Sequence, residues 1–126
     1  MTMDVLSTLD RYREIPWVDG GRDVDRDHGL DCWGLARRVV LDLTGVELPE
    51  DNSEAFARMG ELARVVEADE LREGDLVLMH RDLHVGVCLG DRIVHSSKTA
   101  GVQCITVEAL RRLKLATRVL RPRRKP

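Results

Sequence analysis

The sequence has few aromatic residues, few cysteines and little net charge, and each shortage excludes a class of protein. Aromatic residues make up 3% of the 126 positions, which argues against the stacking platforms that bind single-stranded nucleic acid. The three cysteines, Cys32, Cys88 and Cys104, are too few for a disulfide framework and lack the paired spacing of a zinc site. A net charge of −2 gives no global attraction to nucleic acid or to a membrane surface.

The sequence also lacks an apolar run long enough to cross a bilayer, and its first residues have neither the basic nor the apolar region of a signal peptide. We therefore expect no membrane span and a protein that is cytoplasmic as synthesised. The length of 126 residues and an apolar fraction of 43% are typical of one domain, residues 1–126, ending in a basic tail, residues 118–126. The tail is predicted to be a solvated end, with a docking patch for an acidic partner or nucleic acid as the alternative.

The run from Gly29 to Leu35 ends a polar loop and begins an apolar helix. Asp31 is the predicted N-cap, which places Cys32 in the first helical turn. Free N–H groups and the helix dipole lower the pKa of a thiol there, whereas the charge of Asp31 raises it. Apolar residues at helical spacing run from Cys32 to Leu43, and Gly45 ends the helix. We expect Cys32 to be half-covered at the edge of a packed interface.

The acidic loop before the cysteine alternates Asp23, Asp25 and Asp27, as the ligands of a calcium loop do. A calcium loop also requires glycine at its sixth position and glutamate at its twelfth, but His28 and Gly34 stand there. The sequence therefore favours a solvated acidic loop over a calcium site.

Periodicity and turn residues elsewhere predict short helices and antiparallel strands, and hence an α+β fold. The predicted helices are Asp4–Tyr12, Ser53–Met59 with Ser53 as its cap, and Val107–Leu113. The predicted strands are Ala63–Glu67, Leu76–His80, His84–Leu89, Arg92–Ser96, Val102–Thr106 and Thr117–Leu120.

A two-residue turn at Gly90–Asp91 would fix the register of the hairpin between two of these strands. Gly86 then faces His95, and His84 becomes a diagonal neighbour of His95 on the same sheet face, about 7 Å away. Gly86 has no side chain to separate the two rings. The spacing therefore predicts two adjacent histidines, and a one-residue slip would abolish the arrangement.

A thiol at a helix start and a histidine pair on the neighbouring sheet suit nucleophilic catalysis. Cys32 would be the nucleophile, His84 its base, and His95 the group that fixes the orientation of the base. His80 is the competing base but is expected to be exposed, and His28 ranks third. A satisfied structural histidine pair, or zinc held by the same three residues, are the other interpretations.

At these positions the sequence resembles the NlpC family of papain-like cysteine peptidases. The matching segments, in family order, are Ile15–Gly21, the nucleophile motif Leu30–Leu35, Gly45–Pro49, Gly74–Val77, His84–Val87 and Ile93–His95. The resemblance implies a cysteine-bearing helix packed on a central antiparallel sheet, with no metal or cofactor. It also implies hydrolysis of peptidoglycan stem-peptide amide bonds, commonly between D-glutamate and a diamino acid.

Two tryptophans depart from the family pattern. Trp33 replaces the small residue that usually follows the cysteine, and resembles versions in phage tail assembly proteins. Trp17 stands where the family usually places a tyrosine whose hydroxyl assists the site, and Tyr12 is the single tyrosine of the chain. Asp31, Tyr12, Trp17 and Trp33 are therefore the candidate substrate-binding or oxyanion residues, and the backbone N–H of Cys32 remains an available donor.

The small size and the lack of a signal peptide, unlike typical secreted members of the family, favour a phage or prophage tail-tip component that acts on the bacterial cell wall. Its partners would be peptidoglycan peptides and phage tail proteins, and it would be carried on the virion tail. Two alternatives use the same fold differently. One is a non-catalytic tail assembly adaptor, and the other is a cell-wall amidase with the same cysteine and histidines.

Overall fold

A computed structural model describes residues 5–124, in which six strands form one antiparallel sheet with helices on both faces. The helices are α1 (Val5–Tyr12), α2 (Val24–Asp27), α3 (Cys32–Thr44), α4 (Asn52–Ala57), α5 (Met59–Leu62) and α6 (Val107–Arg112), with a 3-10 turn at Ala68–Glu70. The strands are β1 (Ala63–Val66), β2 (Leu76–Met79), β3 (His84–Leu89), β4 (Arg92–Ser97), β5 (Gly101–Thr106) and β6 (Ala116–Pro122). The predicted α+β class is confirmed; Asp4, the predicted start of the first helix, lies outside the described residues.

Helix α3 begins and ends where the sequence places its caps. The Asp31 carboxylate accepts a 2.8 Å hydrogen bond from the Gly34 amide, and Gly45 ends the helix in a left-handed conformation with φ of 76°. The buried stripe of the helix, which includes Leu35, Val39 and Val40, packs on β3 and β4.

The two faces of the sheet bury different clusters. One face carries Val85, Val87 and Val94 and packs against α3, together with buried residues of α1 and α4. The other face carries Cys88 and Ile93 and packs against Leu110 of α6. Because side chains alternate along a strand, His84 and His95 share this second face.

Glycines let the loop before α3 lie directly on the helix start. A Cβ at Gly34 would stand 2.0 Å from the carbonyl oxygen of Gly21, and one at Gly21 would stand 2.3 Å from that of Gly29. No larger residue fits at Gly34 without moving the backbone.

Several element predictions are corrected by the structure. The acidic loop contains α2, because Asp23 caps it by accepting from the amides of Asp25 and Arg26. Helix α4 is capped by Asp51, not Ser53, and a separate turn, α5, follows it. These caps were missed because several Asp, Asn and Ser residues there are equally able to cap.

Strand β6 lies inside the sheet, between β1 and β2 in the order β1-β6-β2-β3-β4-β5. The predicted solvated tail from Arg118 onwards is therefore wrong as far as Pro122. Arg118 pairs with Asp82 at 2.7 Å, and Arg121 pairs with Asp75 at 2.8 Å. The Asp75 side chain is 1% exposed, so Arg121 neutralises a buried carboxylate.

Arg121→Met is expected to lower the free energy of unfolding by about 3 kcal/mol, because it leaves the Asp75 carboxylate buried without its cation. Urea denaturation at neutral pH measures the change. Arg124→Met is the matched control, since Arg124 is exposed, and its effect should stay within about 0.5 kcal/mol. Equal stabilities of the two variants would contradict this account of the tail.

Candidate active site

The hairpin forms in the predicted register. Gly86 faces His95, Val87 faces Val94, and Cys88 faces Ile93. A Cβ at Gly86 would stand 2.7 Å from the Ile93 side chain and 3.3 Å from the Cβ of His95. The glycine is therefore required by the close packing beneath the histidine pair.

His84 and His95 contact each other directly, with His84 Nε2 2.9 Å from His95 Nδ1 and the rings perpendicular. The predicted adjacency is confirmed. If His84 Nε2 carries the proton it donates to His95 Nδ1, and His84 Nδ1 is left as an acceptor. That tautomer leaves His84 one ring nitrogen that can accept a proton.

Cys32 lines the same cleft as the two histidines, at the end of the pairing between β3 and β4. Pairing between β3 and β4 stops at Gly86 and His95, although β3 begins two residues earlier, at His84. The Val85 amide is thereby free to donate a hydrogen bond to the Cys32 sulfur. Helix α3 and the histidines thus lie mainly on opposite faces of the sheet. Cys32, at the start of the helix, comes to the same cleft as the histidines where the pairing of β3 with β4 ends.

The Cys32 thiol is half-buried, as predicted, but its pKa is raised, not lowered. Burial is the main cause, and the charge of Asp31 adds to it. Hydrogen bonds from the Val85 and Trp33 amides, and the charge of Arg22, lower the pKa but do not outweigh burial. The helix-dipole expectation failed because it ignored the loss of solvent.

Burial also lowers the pKa of His84, to about 4, and the positive charges of His95 and His80 act in the same direction. The pKa of His95 is lowered by burial and by His80. At neutral pH the site therefore rests as a neutral thiol beside neutral imidazoles.

An open cleft of about 550 Å³ lies over this constellation, and Cys32, His84 and His95 all line it. Trp17 lines the same cleft, and the Lys98 ammonium lies 5.9 Å from the centre of its ring. Lys98 is the one Lys or Arg among the described residues that line the cleft. Lys98 is not among the predicted site residues, since nothing in its spacing points to the site.

The other candidate residues lie outside this cleft. Tyr12 is 1% exposed, and its hydroxyl donates to Asp42; burial, with Asp42, raises its pKa. Asp31 caps α3 and pairs with Arg22 at 2.6 Å, so it holds the helix start in place.

Trp33 is buried and donates from Nε1 to the Pro49 carbonyl at 3.0 Å. It lines a smaller cavity beside the cleft, to which Cys32 and His84 also contribute. The structure therefore brings Trp17 to the cleft and Trp33 to its neighbour.

The remaining histidines lie as expected. His80 is exposed, yet its ring centre is 6.0 Å from that of His84, and it lines the cleft. His28 is exposed at the end of α2. Within residues 5–124, no group of three or more His, Cys, Asp or Glu is arranged to hold a metal ion, and no helix is long and apolar enough to cross a membrane.

Residues 14–123 match the NlpC/P60 family. The chain belongs to this family. This NlpC/P60 chain is 36% identical over 105 residues to the murein DD-endopeptidase MepS/murein LD-carboxypeptidase of Escherichia coli K12, covering 79% of the chain and 54% of that relative. It is 33% identical over 75 residues to a probable endopeptidase NlpC homolog of Haemophilus influenzae, covering 59% and 39%. The chain spans about half the length of the curated relatives it matches.

Solved structures confirm the predicted fold. The NlpC/p60 domain of the peptidoglycan hydrolase SagA superposes with a TM-score of 0.62 at 23% identity, covering 82% of this chain and 87% of that one. The P60 domain of an antigen from M. avium subspecies paratuberculosis gives 0.65 at 21% identity, covering 93% and 90%.

In an NMR titration the His84 ring should stay neutral until the pH falls to about 4, because burial disfavours its charged form. Since its pKa in the unfolded chain is near 6.5, unfolding takes up a proton below that pH. Stability should therefore fall as pH drops from about 6.5 towards 4.

His80→Asn removes a nearby positive charge and should raise the midpoint of the His84 titration. A midpoint of 6.5 for His84 in the parent protein would contradict the burial argument.

Proposed function

We propose that this NlpC/P60 chain is a cysteine peptidase that hydrolyses amide bonds in peptidoglycan peptides. The observation that carries the proposal is the convergence of Cys32 with the hydrogen-bonded pair His84 and His95 in one open cleft. The names of the relatives, which are murein endopeptidases or a probable endopeptidase, support the same class of substrate.

In the proposed mechanism His84 acts as a general base at the moment of attack. His84 Nδ1 takes the proton of the Cys32 thiol while the sulfur bonds to the amide carbonyl carbon. The imidazolium that forms keeps its Nε2–H on His95 Nδ1, which stabilises and orients it. His84 then protonates the leaving amine as the C–N bond breaks, which leaves a thioester on Cys32.

Water completes the cycle. His84, neutral again, takes a proton from the water that attacks the thioester, and the carboxylic acid product leaves with the thiol restored. The Cys32 amide is at the first helical position, where the helix provides no acceptor for it. It is the proposed oxyanion donor, and one such donor is typically worth about 3 kcal/mol.

The proposed bond lies between D-glutamate and a diamino acid. A substrate with a free carboxylate fits the cleft, because the ammonium of Lys98, the one Lys or Arg among its described lining residues, would pair with that carboxylate beside Trp17. A DD-endopeptidase or LD-carboxypeptidase specificity is the second candidate, because those activities name a relative 36% identical over 79% of the chain.

We further propose that the chain acts at a phage or prophage tail tip, made in the cytoplasm and carried on the virion to the cell wall. The resemblance of the segment around Trp33 to phage tail assembly proteins supports this setting. Detection of the chain in purified tail particles, by mass spectrometry, would test it, and its absence from them would count against it.

Cys32→Ala is expected to abolish release of peptides from purified peptidoglycan, because no other thiol lines the cleft among the residues described. Cys104→Ala is the matched control, since this half-buried thiol on β5 lies outside the cleft, and it should keep full activity. Liquid chromatography with mass spectrometry measures the products.

The masses of the released fragments identify the bond. Fragments ending in D-glutamate support the proposed bond, and fragments cut at the cross-link support the DD specificity. Cleavage between sugar and peptide would support the amidase alternative. Cleavage that survives Cys32→Ala would overturn the catalytic mechanism, and no cleavage by the unmodified protein would favour the adaptor.

A further inference from the structure

Leu83 stands at the junction of the cleft and the smaller cavity beside it, called here the side cavity. It lines both spaces, as do the reactive residues Cys32 and His84. Leu83 also directly precedes His84 in the chain, so its place is tied to that of the proposed base. A substrate amide at the Cys32 sulfur would therefore lie in the space that Leu83 borders.

At 83%, Leu83 is the most exposed of the large apolar residues in the described part of the chain. A singly exposed leucine is common on protein surfaces. Leu83 differs because both spaces that it borders have other apolar residues in their walls. These are Met79, Ile105 and Leu115 in the cleft, and Phe56 and Leu78 in the side cavity. A ligand that covers Leu83 would remove apolar surface from water, which favours binding.

The turn that presents Leu83, residues 80–83, has an unfavourable backbone. His80, Arg81 and Asp82 are consecutive residues in the left-handed region, with φ of 52°, 57° and 67°. The Leu83 amide closes the turn by donating to the His80 carbonyl at 3.1 Å. Left-handed conformations are unfavourable for residues with a Cβ and persist where the surrounding structure holds them. Contacts from outside the turn are therefore needed to fix the position of Leu83.

The ion pair between Arg118 and Asp82 is such a contact. Arg118, on β6, donates to Asp82 Oδ2 at 2.7 Å. Arg118 also faces Leu78 of β2, the strand that leads into the turn. The ion pair thus ties the turn to a strand in the interior of the sheet, and through the turn it constrains Leu83.

We propose that Leu83 is a specificity-determining residue that packs against an apolar part of the bound peptide, and that Arg118 is a positioning residue that holds Leu83 there through Asp82. The proposal rests on the proposed function, because it takes the peptide that Cys32 attacks as the occupant of the junction. The contact selects methyl and methylene groups, since a leucine side chain offers no hydrogen bond to a polar group that it covers.

Leu83→Asn tests the contact, because asparagine is close to leucine in size but polar. Binding of a synthetic stem tetrapeptide is measured by calorimetry on the full chain with Cys32→Ala, so that the peptide is not consumed. Leu83→Asn is expected to raise the Kd about tenfold, because apolar burial on binding is lost. Leu83→Met keeps an apolar side chain and should bind within about twofold of the parent. The free energy of unfolding should be the same in all three, since the side chain at this position is exposed.

Leu113→Asn is the matched control. Leu113 is 58% exposed at the end of α6 and lines neither space. This variant should bind the tetrapeptide as the parent does. In methyl NMR spectra of the parent, the Leu83 resonances should shift when the peptide is added, and those of Leu113 should not.

Arg118→Gln tests the positioning role, because it breaks the ion pair and leaves Leu83 in place. In the parent background it should raise the Kd about threefold. In the Leu83→Asn background the same change should have no further effect, because Arg118 acts through Leu83. A merely structural role of Arg118 would instead weaken binding equally in both backgrounds.

Equal Kd values for the parent and Leu83→Asn, or Leu83 methyl resonances that do not respond to the peptide, would overturn the contact. An equal loss from Arg118→Gln in both backgrounds would overturn the positioning role. Cleavage of peptidoglycan by the unmodified protein is assayed separately. Cleavage with binding indifferent to Leu83 refutes the contact alone, and binding that depends on Leu83 without cleavage refutes the proposed peptidase alone.

Discussion

The site depends on the place where the start of α3 meets the sheet, because there Cys32 packs against the core cluster that α3 shares with the strands, and burial sets the pKa of its thiol. Val85, whose amide acts on the Cys32 sulfur, lies one residue beyond Gly86, where β4 stops pairing with β3. The Asp31 cap and the close backbone contact at Gly34 hold the start of α3 beside this unpaired end of β3. The position of the thiol is therefore set by packing and backbone hydrogen bonds, and not by the cysteine itself.

The same packing decides the charge state of the site. Desolvation raises the pKa of the Cys32 thiol and lowers that of His84, so burial disfavours the charged form of each group. An ion pair is thus absent at rest, and in the proposed mechanism the imidazolium forms only as the sulfur attacks. In a partly desolvated cleft the hydrogen bond between His84 and His95 is stronger than it would be in water, and in the proposed mechanism it stabilises that imidazolium.

Turn and cap residues close in sequence were enough to predict much of the candidate site. The two-residue turn at Gly90–Asp91 fixed the hairpin register, and with it the contact between His84 and His95. The cap at Asp31 placed Cys32 in the first turn of α3. Both features depend on residues close in sequence, which is why spacing predicted them.

Features that depend on distant segments were not predictable in this way. The interior place of β6, between β1 and β2, and the pairing of Arg121 with Asp75 follow from strand order, which spacing does not encode. The raised pKa of Cys32 required knowledge of what covers the thiol.

The most direct test of a neutral resting pair is the rate of Cys32 alkylation by iodoacetamide as a function of pH. With Cys88 and Cys104 replaced by alanine, Cys32 becomes the only thiol. The raised pKa of Cys32 predicts a rate that keeps rising through pH 8, with no plateau in mild acid. A rate already constant between about pH 5 and 7 would mean that a thiolate is paired with imidazolium at rest, and would contradict the account.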